Sequence, residues 1–460
     1  ATHIQNFLVE TSKSLGELDG DTQGHLLKLS GALLLESPFA VVDFLTTSPL
    51  VLEKIPRSDL DQWFQQGIDI LRDNEEGGIA YFKLESVKGR GVLEKLSSGI
   101  ELEKVREVLW MYAVALAGTE SQIQAGEELM ERGIGWVSGE NPTTEGRSVF
   151  LPPFVRKYSS KEENFGWYKV VSTHQVAHLE FGSFLFEFDK DAIHFSNLRK
   201  QRLEDSDLSS TATVDLQKYF DLFIERQLAY DLFSLTEDTR LDARVIYEYK
   251  GIRKAYELTQ KDAVSERPAI ESLPLREAIV ELLIRISLGQ KADLQVPTKI
   301  KSQVEELVKI LFLVRPPDST VEDSAEGTIR LYDYIRQLIN QEVPEQDWED
   351  FDTDAIQEKP SVDMSTPSAY SAGGAADEGE QSTTSQGGEQ EDQQAYDAPQ
   401  DVGYRGEFKP ELVQLLAKLR KGQQGEDAQA SGEPISPEAL KDLLDKSVEI
   451  EIDQATEGEI

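Results

Sequence analysis

The stretch VLEKLSSGIELEKVREVLWMYAVALA, residues 92–117, decides the fold class. Its apolar side chains recur every three or four residues, which is the period of a helix and not of a strand. Ser97, Ser98 and Gly99 interrupt this pattern, so we expect two helices joined by a short connection. The apolar positions are Leu93, Leu96, Ile100, Leu102, Val105, Leu109, Met111 and Val114.

The same spacing predicts helices on both sides of this stretch. On the N-terminal side they cover 26–35, 39–45 and 60–71, and on the C-terminal side 164–179, 214–247, 275–288, 300–313 and 321–339. Apolar and polar residues alternate from Phe181 to Phe195, which favours a small β-hairpin. The sequence therefore predicts a mainly α fold with a multi-helical N-terminal domain and a helical central domain.

Composition excludes several classes of function. The 460 residues include 47 basic and 85 acidic side chains, giving a net charge of −38, and no cysteine. A surface this negative repels phosphate, so we expect no binding to nucleic acid. Without a thiol there is no disulfide, cysteine-ligated zinc, iron–sulfur cluster or cysteine nucleophile.

The negative charge is concentrated near the C-terminus. Residues 341–460 hold 30 acidic and 8 basic side chains, a net of −22, whereas the first 340 carry a net of −16. The segment 135–148 is rich in Gly, Asn, Pro and Thr, as expected of a domain boundary. We therefore expect a helical domain over 1–140, a central helical domain over 141–345, and a disordered acidic linker over 346–460.

Two short amphipathic helices are expected within the acidic linker. The run from Ser371 to Gln394 has no large apolar residue that could offset the entropy of ordering, and it should be disordered. Apolar residues return at about 410–420 and at 437–445. Helices this short, below about 12–15 residues, are marginal alone and need a partner surface.

The chain has no sequence signal for a membrane span, secretion or ATP hydrolysis. The longest apolar stretch, Val108 to Gly118, is much shorter than the roughly 20 residues of a membrane span. The first residues do not form a secretory signal, and no G-x-x-x-x-G-K-[ST] loop occurs. We expect a cytoplasmic protein without membrane insertion and without its own ATPase.

The strongest chemical pattern is STHQVAHLEFGSF, residues 172–184. His174 and His178 lie four residues apart on a predicted helix, so both imidazoles project from one face. Zinc peptidases use this spacing in H-E-x-x-H, where the glutamate is the general base. Gln175 occupies that position here. An amide cannot take a proton from zinc-bound water, so we expect no hydrolytic activity and no catalytic residue, whereas metal binding itself needs only the two histidines and a third ligand.

An acidic third ligand is available about sixty residues later. In LTEDTRLDARV we take Glu237 as the candidate that joins the two histidines at zinc. Gln175, Asp238, Arg240 and Asp242 form the surrounding polar cluster. The hypothesis that the residue pattern favours needs no metal, because histidines and carboxylates can form a buried hydrogen-bonded network that fixes how two helices pack. A third hypothesis is a degenerate zinc-metallopeptidase-like domain.

A basic cluster, Arg199-Lys200-Gln201-Arg202, precedes Glu204 and Asp205. The pattern is typical of a solvated helix face or a linker. It is also the densest positive segment of the chain, which makes it a candidate surface for an acidic partner.

Four blocks resemble the NorD/CbbO family, whose members carry a C-terminal von Willebrand factor A domain and are encoded beside a MoxR-type AAA+ ATPase. The resemblance covers about residues 20–345. The blocks are FLPPFV at 150–155, WYKVVSTHQVAHLEFGSF at 167–184, FSLTEDTRLDARVIYEYKGIRKAY at 233–256 and IAYFKLESVKGRGVLEKLSSGIELEKVREVLWMYAVALAG at 79–118.

The resemblance implies an accessory role. Members of the family are adaptors that work with the ATPase ring to activate or remodel a metalloenzyme, such as nitric oxide reductase or rubisco. Their A domain grips the target through Mg²⁺ at a metal-ion-dependent adhesion site. The expected partners are therefore a MoxR-type AAA+ ATPase and a target metalloenzyme.

The A domain itself is missing from this sequence. Its D-x-S-x-S motif is most nearly matched by residues 363–368, DMSTPS, where proline replaces the second serine. We therefore expect either an N-terminal part of a longer protein or a variant without this module. Mg²⁺ would be a cofactor only if an A domain follows Ile460, and none of the family's adhesion-site residues can be assigned here.

Overall fold

The computed structural model describes most of the chain outside the acidic segments. Its described residues are 13, 15–16, 18–117, 122–125, 143–145, 148–205, 214–356, 394–406, 408, 410–411 and 413–414. The chain divides into two compact units. The first contains Ala1–Val105 and Pro153–Gly166, and the second contains Arg106–Pro152 and Trp167–Ile460.

The fold is mainly α, as predicted. The described residues contain fourteen α-helices, labelled here in chain order: α1 Gly20–Glu36, α2 Ala40–Lys54, α3 Leu60–Asp73, α4 Glu75–Phe82, α5 Val87–Leu96, α6 Leu102–Ala117, α7 Lys161–Glu180, α8 Leu198–Asp205, α9 Asp215–Phe220, α10 Arg226–Glu248, α11 Arg253–Ser265, α12 Leu275–Ser287, α13 Lys301–Leu313 and α14 Val321–Ile335. No helix among these residues is both long and apolar enough to cross a membrane.

Within the described ranges, seven short strands form three small sheets. They are β1 Ile100–Glu101, β2 Gln122–Ala125, β3 Thr143–Glu145, β4 Ser148–Leu151, β5 Phe154–Val155, β6 Leu294–Pro297 and β7 Trp348–Phe351. β1 pairs antiparallel with β5, and β6 pairs antiparallel with β7. β4 lies between β2, its parallel neighbour, and β3, its antiparallel neighbour.

The first unit is organised by an aromatic cluster between α2, α3 and α4. The rings of Phe44, Trp63, Tyr81 and Phe82 pack with centroids 5.4–6.1 Å apart. The Tyr81 hydroxyl donates a hydrogen bond of 2.8 Å to the carbonyl of Trp63. These aromatic rings pack within a core whose other members are mostly aliphatic, and the hydrogen bond fixes the ring of Tyr81.

Two helices of the first unit approach closely at a glycine. A Cβ atom added at Gly78 in α4 would lie only 2.6 Å from the Cα of Leu71 in α3. We therefore predict that Gly78→Ala lowers the free energy of unfolding by about 1–3 kcal/mol, because the helices would have to separate. Gly24→Ala is the control, since its Cβ would meet nothing within 4 Å and alanine favours helix by up to about 1 kcal/mol.

Denaturant unfolding followed by circular dichroism measures both variants. Equal changes in the two would contradict the close approach of α3 and α4.

The division between the units differs from the predicted boundary at residue 140. Residues 153–166 return to the first unit, where β5 pairs with β1 and the side chain of Asn164 donates 2.9 Å hydrogen bonds to the carbonyls of Ser98 and Tyr158. The contacts with β1 and Ser98 join residues far apart in the sequence, so no local sequence pattern predicts them. Much of the predicted boundary segment 135–148 lies outside the described residues.

The predicted hairpin over 181–195 is wrong. This segment contains a 3₁₀ turn at Ser183–Leu185 and no strand. The backbone N–H groups of Ile193 and His194 donate instead to the carboxylate of Asp323 in α14, at 2.9 and 2.6 Å. Side-chain acceptors thus replace the partner strand that the alternating pattern suggested.

The single helix predicted over 214–247 is also wrong, because α9 ends at Phe220 and α10 begins at Arg226. Neither proline nor glycine causes this break. The ring of Phe223 packs 4.8 Å from that of Tyr332, and the backbone N–H of Glu225 donates to the Tyr332 hydroxyl at 3.0 Å. Packing against α14 therefore overrides local helix propensity.

The prediction of a disordered linker over all of 346–460 is wrong in two places. β7 pairs with β6, and Phe351 is buried. Residues 394–406 also pack on the second unit, where Tyr404 and Arg405 are buried. The run 371–393 and the helix predicted at 437–445 lie outside the described residues, as does most of the helix predicted at about 410–420.

Candidate metal centre

Two histidines on α7 form the centre of the candidate site. His174 and His178 lie one helical turn apart, and their ring centroids are 5.2 Å apart. Both side chains are buried, with exposed fractions of 0% and 1%. The two imidazoles therefore share one face of α7, as their spacing of four residues predicts.

A carboxylate from α10 meets both histidines. Oδ1 of Asp238 lies 3.3 Å from Nε2 of His174 and 3.9 Å from Nε2 of His178. One ligand atom from each of the three residues lies within 4.8 Å of the other two. In the described part of the chain, none of these three buried atoms has a hydrogen-bond partner. The buried group His174, His178 and Asp238 could therefore hold a metal ion.

Nδ1 of His174, the ring nitrogen that does not face Asp238, is held by Asp242. Nδ1 of His174 lies 2.9 Å from Oδ1 of Asp242, whose other oxygen accepts from Nη2 of Arg405 at 2.7 Å and from the Tyr404 hydroxyl at 2.5 Å. Burial opposes ionisation of Asp242, but the guanidinium of Arg405 and the bond from His174 lower its pKa below the usual range. The ionised carboxylate accepts a hydrogen bond from Nδ1–H, and Nε2 on the other side of the ring faces Asp238.

Nδ1 of His178, the ring nitrogen that does not face Asp238, is held by Ser183. Nδ1 of His178 lies 3.1 Å from Oγ of Ser183, and this hydroxyl donates to Oε1 of Glu237 at 2.5 Å. Since the hydroxyl has one proton and gives it to the carboxylate, it accepts from Nδ1 of His178. Burial, together with His174 and Arg240, lowers the pKa of His178 well below its usual value. The neutral ring therefore presents a bare lone pair at Nε2.

The pKa of His174 moves the other way when no metal is present. Burial alone would lower it, but the nearby carboxylates of Asp238 and Asp242 raise it to about 9. His174 is then a cation between two carboxylates. A metal ion would replace its proton and supply the positive charge that these carboxylates face.

Glu237 is not the third member of the group, which corrects the expectation from the sequence. Its Oε2 accepts from Nε of Arg240 at 2.9 Å and from the Ser324 hydroxyl at 2.7 Å. Neighbouring residues on a helix point about 100° apart, so Glu237 faces α14 while Asp238 faces α7. Asp238 and Asp242 share a face of α10 because they are four residues apart. Asp238 faces Nε2 of His174, and Asp242 faces Nδ1.

Gln175 is buried beside the group and contacts the C-terminal part of the chain. Its Nε2 donates to the carbonyl oxygen of Arg405 at 2.5 Å. The side chain at the position of the peptidase general base is thus engaged with a backbone carbonyl. Asp242 and Arg240 belong to the polar cluster as expected, Asp242 at His174 and Arg240 at Glu237.

A cavity of about 260 Å³ reaches Asp238 from the surface of the second unit. Side chains of α10, among them Gln227, Asp231 and Ser234, form one wall, and residues 398–402 form part of the opposite wall. Burial raises the pKa of Asp231 to about 6, even though Tyr396 and Gln227 donate to its carboxylate. Asp238 lines this cavity, whereas neither His174 nor His178 does.

The basic cluster at 199–202 lies elsewhere in the second unit and is only partly solvated. Arg199 is fully buried, and its Nη1 pairs with Glu326 at 2.8 Å. Arg202 pairs with Asp333. The two arginines thus attach α8 to α14, while Gln201 is exposed and Lys200 half-buried.

Sequence reasoning missed five residues that contact the site. Ser183 follows the histidine motif closely but carries no signal of its own, and Tyr256 lies on another helix. The remaining three belong to the acidic quarter of the chain, which was expected to be disordered. They are Tyr404, Arg405 and Phe408.

Comparison of the chain with protein-family models, with curated proteins and with solved structures found no match.

Proposed function

We propose that the second unit binds a divalent transition-metal ion, foremost Zn²⁺, through Nε2 of His174, Nε2 of His178 and a carboxylate oxygen of Asp238. The observation that carries this proposal is the convergence of three buried atoms that lack hydrogen-bond partners in the described residues. Leaving a buried polar atom unsatisfied costs about 1–3 kcal/mol. A packing network alone would leave Nε2 of His178 unsatisfied and Nε2 of His174 with only the carboxylate of Asp238 at 3.3 Å, whereas one metal ion would satisfy all three atoms.

The distances and ligand types support zinc. Two ligands at about 2.0 Å from a tetrahedral zinc ion lie about 3.3 Å apart. The separations of 3.3 and 3.9 Å between Asp238 and the histidines need only small adjustments to reach that geometry. Imidazole and carboxylate ligands also suit Fe²⁺, which metal analysis distinguishes from zinc. Mg²⁺ is disfavoured because it prefers oxygen ligands.

We assign the metal a structural or regulatory role without hydrolysis. Zinc peptidases need a general base next to the zinc-bound water. Gln175 occupies the corresponding sequence position, and its amide donates to the carbonyl of Arg405. The ion would instead fix α7 against α10, the two helices that supply its ligands.

Metal analysis of the purified full chain tests this proposal. The wild type should hold about one zinc ion per chain after dialysis against a low zinc concentration, and His178→Ala should hold almost none. His25→Ala is the matched control, because His25 lies in the first unit and pairs with Asp61 at 2.8 Å. A wild-type chain that takes up no zinc or iron would leave the packing network as the explanation.

We further propose that the chain is a cytoplasmic accessory protein of a MoxR-type AAA+ ATPase, acting on a target metalloenzyme. One observation favours this candidate. The STHQVAH and EDTRLDARV blocks, on which the family resemblance rests, supply the residues that meet in the buried group. A resemblance in residues that organise a domain is more informative than one in scattered surface positions, because such residues depend on one another.

A reconstituted ATPase assay tests the accessory role. We expect the full chain to bind a MoxR-type ATPase from the same genome and to change its rate of ATP hydrolysis. The control is an AAA+ ATPase of another class, whose rate should not change. Absence of both binding and a rate change with the MoxR-type enzyme would overturn this proposal without affecting the metal site.

A further inference from the structure

A segment near the C-terminus crosses the second unit and ends at the candidate metal centre. We call residues 394–406 with Phe408 the C-terminal strap. Its first half is attached at several points away from the histidines. The Tyr396 hydroxyl donates to Asp231 at 2.9 Å, the N–H of Asp397 donates to Glu277 at 2.8 Å, and Nη1 of Arg267 donates to the carbonyl of Gln400 at 2.5 Å.

The second half of the strap contacts the supports of both histidines. Tyr404 and Arg405 donate to the Asp242 oxygen that does not face His174. The ring of Phe408 stacks on that of His178, with centroids 4.4 Å apart and planes inclined by 17°. Gln175 lies between the two histidines on α7 and donates to the carbonyl of Arg405.

The histidine group is incomplete without these strap residues. Asp242 is buried, and Arg405 is the cation that pairs with it at hydrogen-bond distance on the side away from His174. Without Tyr404 and Arg405, the carboxylate that orients His174 would lose two of its donors. A buried carboxylate with fewer donors would turn toward other partners or toward water.

Resting on the metal proposal above, we infer that metal binding and docking of the C-terminal strap stabilise each other. Tyr404 and Arg405 are positioning residues for His174, acting through Asp242, and Phe408 supports the ring of His178. A bound ion holds both imidazole rings in fixed orientations. It thereby keeps Asp242 in place for Tyr404 and Arg405, and one face of His178 in place for Phe408.

Thermodynamic linkage makes this coupling reciprocal. If zinc favours the docked strap by a given factor, the docked strap favours zinc by the same factor. Outer-shell partners of ligating histidines typically contribute about 10–100-fold to metal affinity. The strap belongs to the acidic C-terminal quarter of the chain. Metal binding would therefore hold this quarter, through the strap, against the helices that carry His174, His178 and Asp238.

Hydrogen exchange of the full chain measures the effect of the metal on the strap. We expect amides of residues 399–406 to exchange about tenfold or more slowly with zinc than with a chelator, a factor within the usual range of coupling between sites. In His178→Ala the two conditions should give equal rates. Peptides from α3 in the first unit serve as the internal control. Stoichiometric zinc without any slowing in 399–406 would overturn the inference while leaving the metal site intact.

Two tyrosines of the strap provide a matched pair for the reciprocal measurement. Tyr404→Phe removes the hydroxyl bonded to Asp242, and Tyr396→Phe removes the one bonded to Asp231. Both variants keep the ring and its packing. We expect Tyr404→Phe to weaken zinc binding by about tenfold or more, and Tyr396→Phe to leave it near the wild-type value. Equal zinc affinities for the two variants would overturn the positioning role of Tyr404.

The same samples separate the two proposals. A wild-type chain that binds no metal, by mass spectrometry and by titration, removes the metal proposal and this inference together. The chain could instead bind metal while hydrogen exchange of the strap is the same with and without zinc and Tyr404→Phe binds zinc as tightly as the wild type. Only the coupling inference would then be wrong.

Discussion

Replacing Glu237 with alanine is expected to lower the free energy of unfolding by about 3–5 kcal/mol, because it leaves a buried charge without its partner. Arg240 is 3% exposed, and its guanidinium donates to both oxygens of Glu237, at 2.9 and 2.5 Å. Burial of Glu237 favours its neutral form, but Arg240 lowers its pKa and keeps it ionised. After the substitution Arg240 would keep only carbonyl acceptors, those of Ser319 and Phe181.

Two comparisons separate this mechanism from a general sensitivity of α10. The double variant Glu237→Leu with Arg240→Met should lose much less stability than Glu237→Ala, because no unpaired charge remains. Glu248→Ala breaks the half-exposed pair with Arg244 on the same helix and should change stability by at most about 1 kcal/mol. Denaturant unfolding measures all three. A loss in Glu237→Ala no larger than that in Glu248→Ala would contradict the assigned role of the buried pair.

Helices could be predicted from the sequence where regularly spaced apolar residues form one buried face. α12 and α13 begin and end within one residue of the prediction, because each has a continuous apolar stripe against the core. The break before α10 was not predictable. It depends on Phe223 and Glu225 meeting Tyr332, a residue more than one hundred positions later. Sequence periodicity contains no information about such a contact.

The histidine pair was predictable from spacing, whereas its third partner was not. A separation of four residues places two side chains on one face of any helix. Which face of α10 meets α7 depends on tertiary packing, and Glu237 and Asp238 differ by about 100° in direction. The assignment therefore failed by one residue, although it found the correct turn of the correct helix.

Buried charges were the largest source of error. Glu322, Asp323 and Glu326 on α14 are buried, where they accept hydrogen bonds from Lys190, from backbone N–H groups and from Arg199. Sequence reasoning assigns such residues to solvent, and it assigned the cluster at 199–202 to a surface for the same reason. The strap was missed similarly, because averaging over an acidic quarter conceals the few residues, such as Tyr404, that pack.

Zinc is expected to raise the free energy of unfolding of the wild-type chain by about 2.7 kcal/mol when its free concentration is one hundred times the dissociation constant. The ion binds the folded chain, in which His174, His178 and Asp238 converge, and far less strongly the unfolded chain, in which Asp238 lies sixty or more positions from the two histidines. Asp238→Asn should lose this stabilisation, because an amide oxygen is a weaker zinc ligand than a carboxylate.

Unfolding with and without zinc also separates the metal site from a packing network. If the histidine group is only a network, Asp238→Asn destabilises the chain by the same amount in zinc and in chelator. If the group binds metal, the loss is larger in zinc than in chelator, since in chelator Oδ1 of Asp238 loses only its contact of 3.3 Å with the cationic ring of His174. Glu248→Ala, away from the group, should respond to zinc as the wild type does. Equal losses for Asp238→Asn under both conditions would contradict the metal site, because the ion would then contribute nothing through that carboxylate.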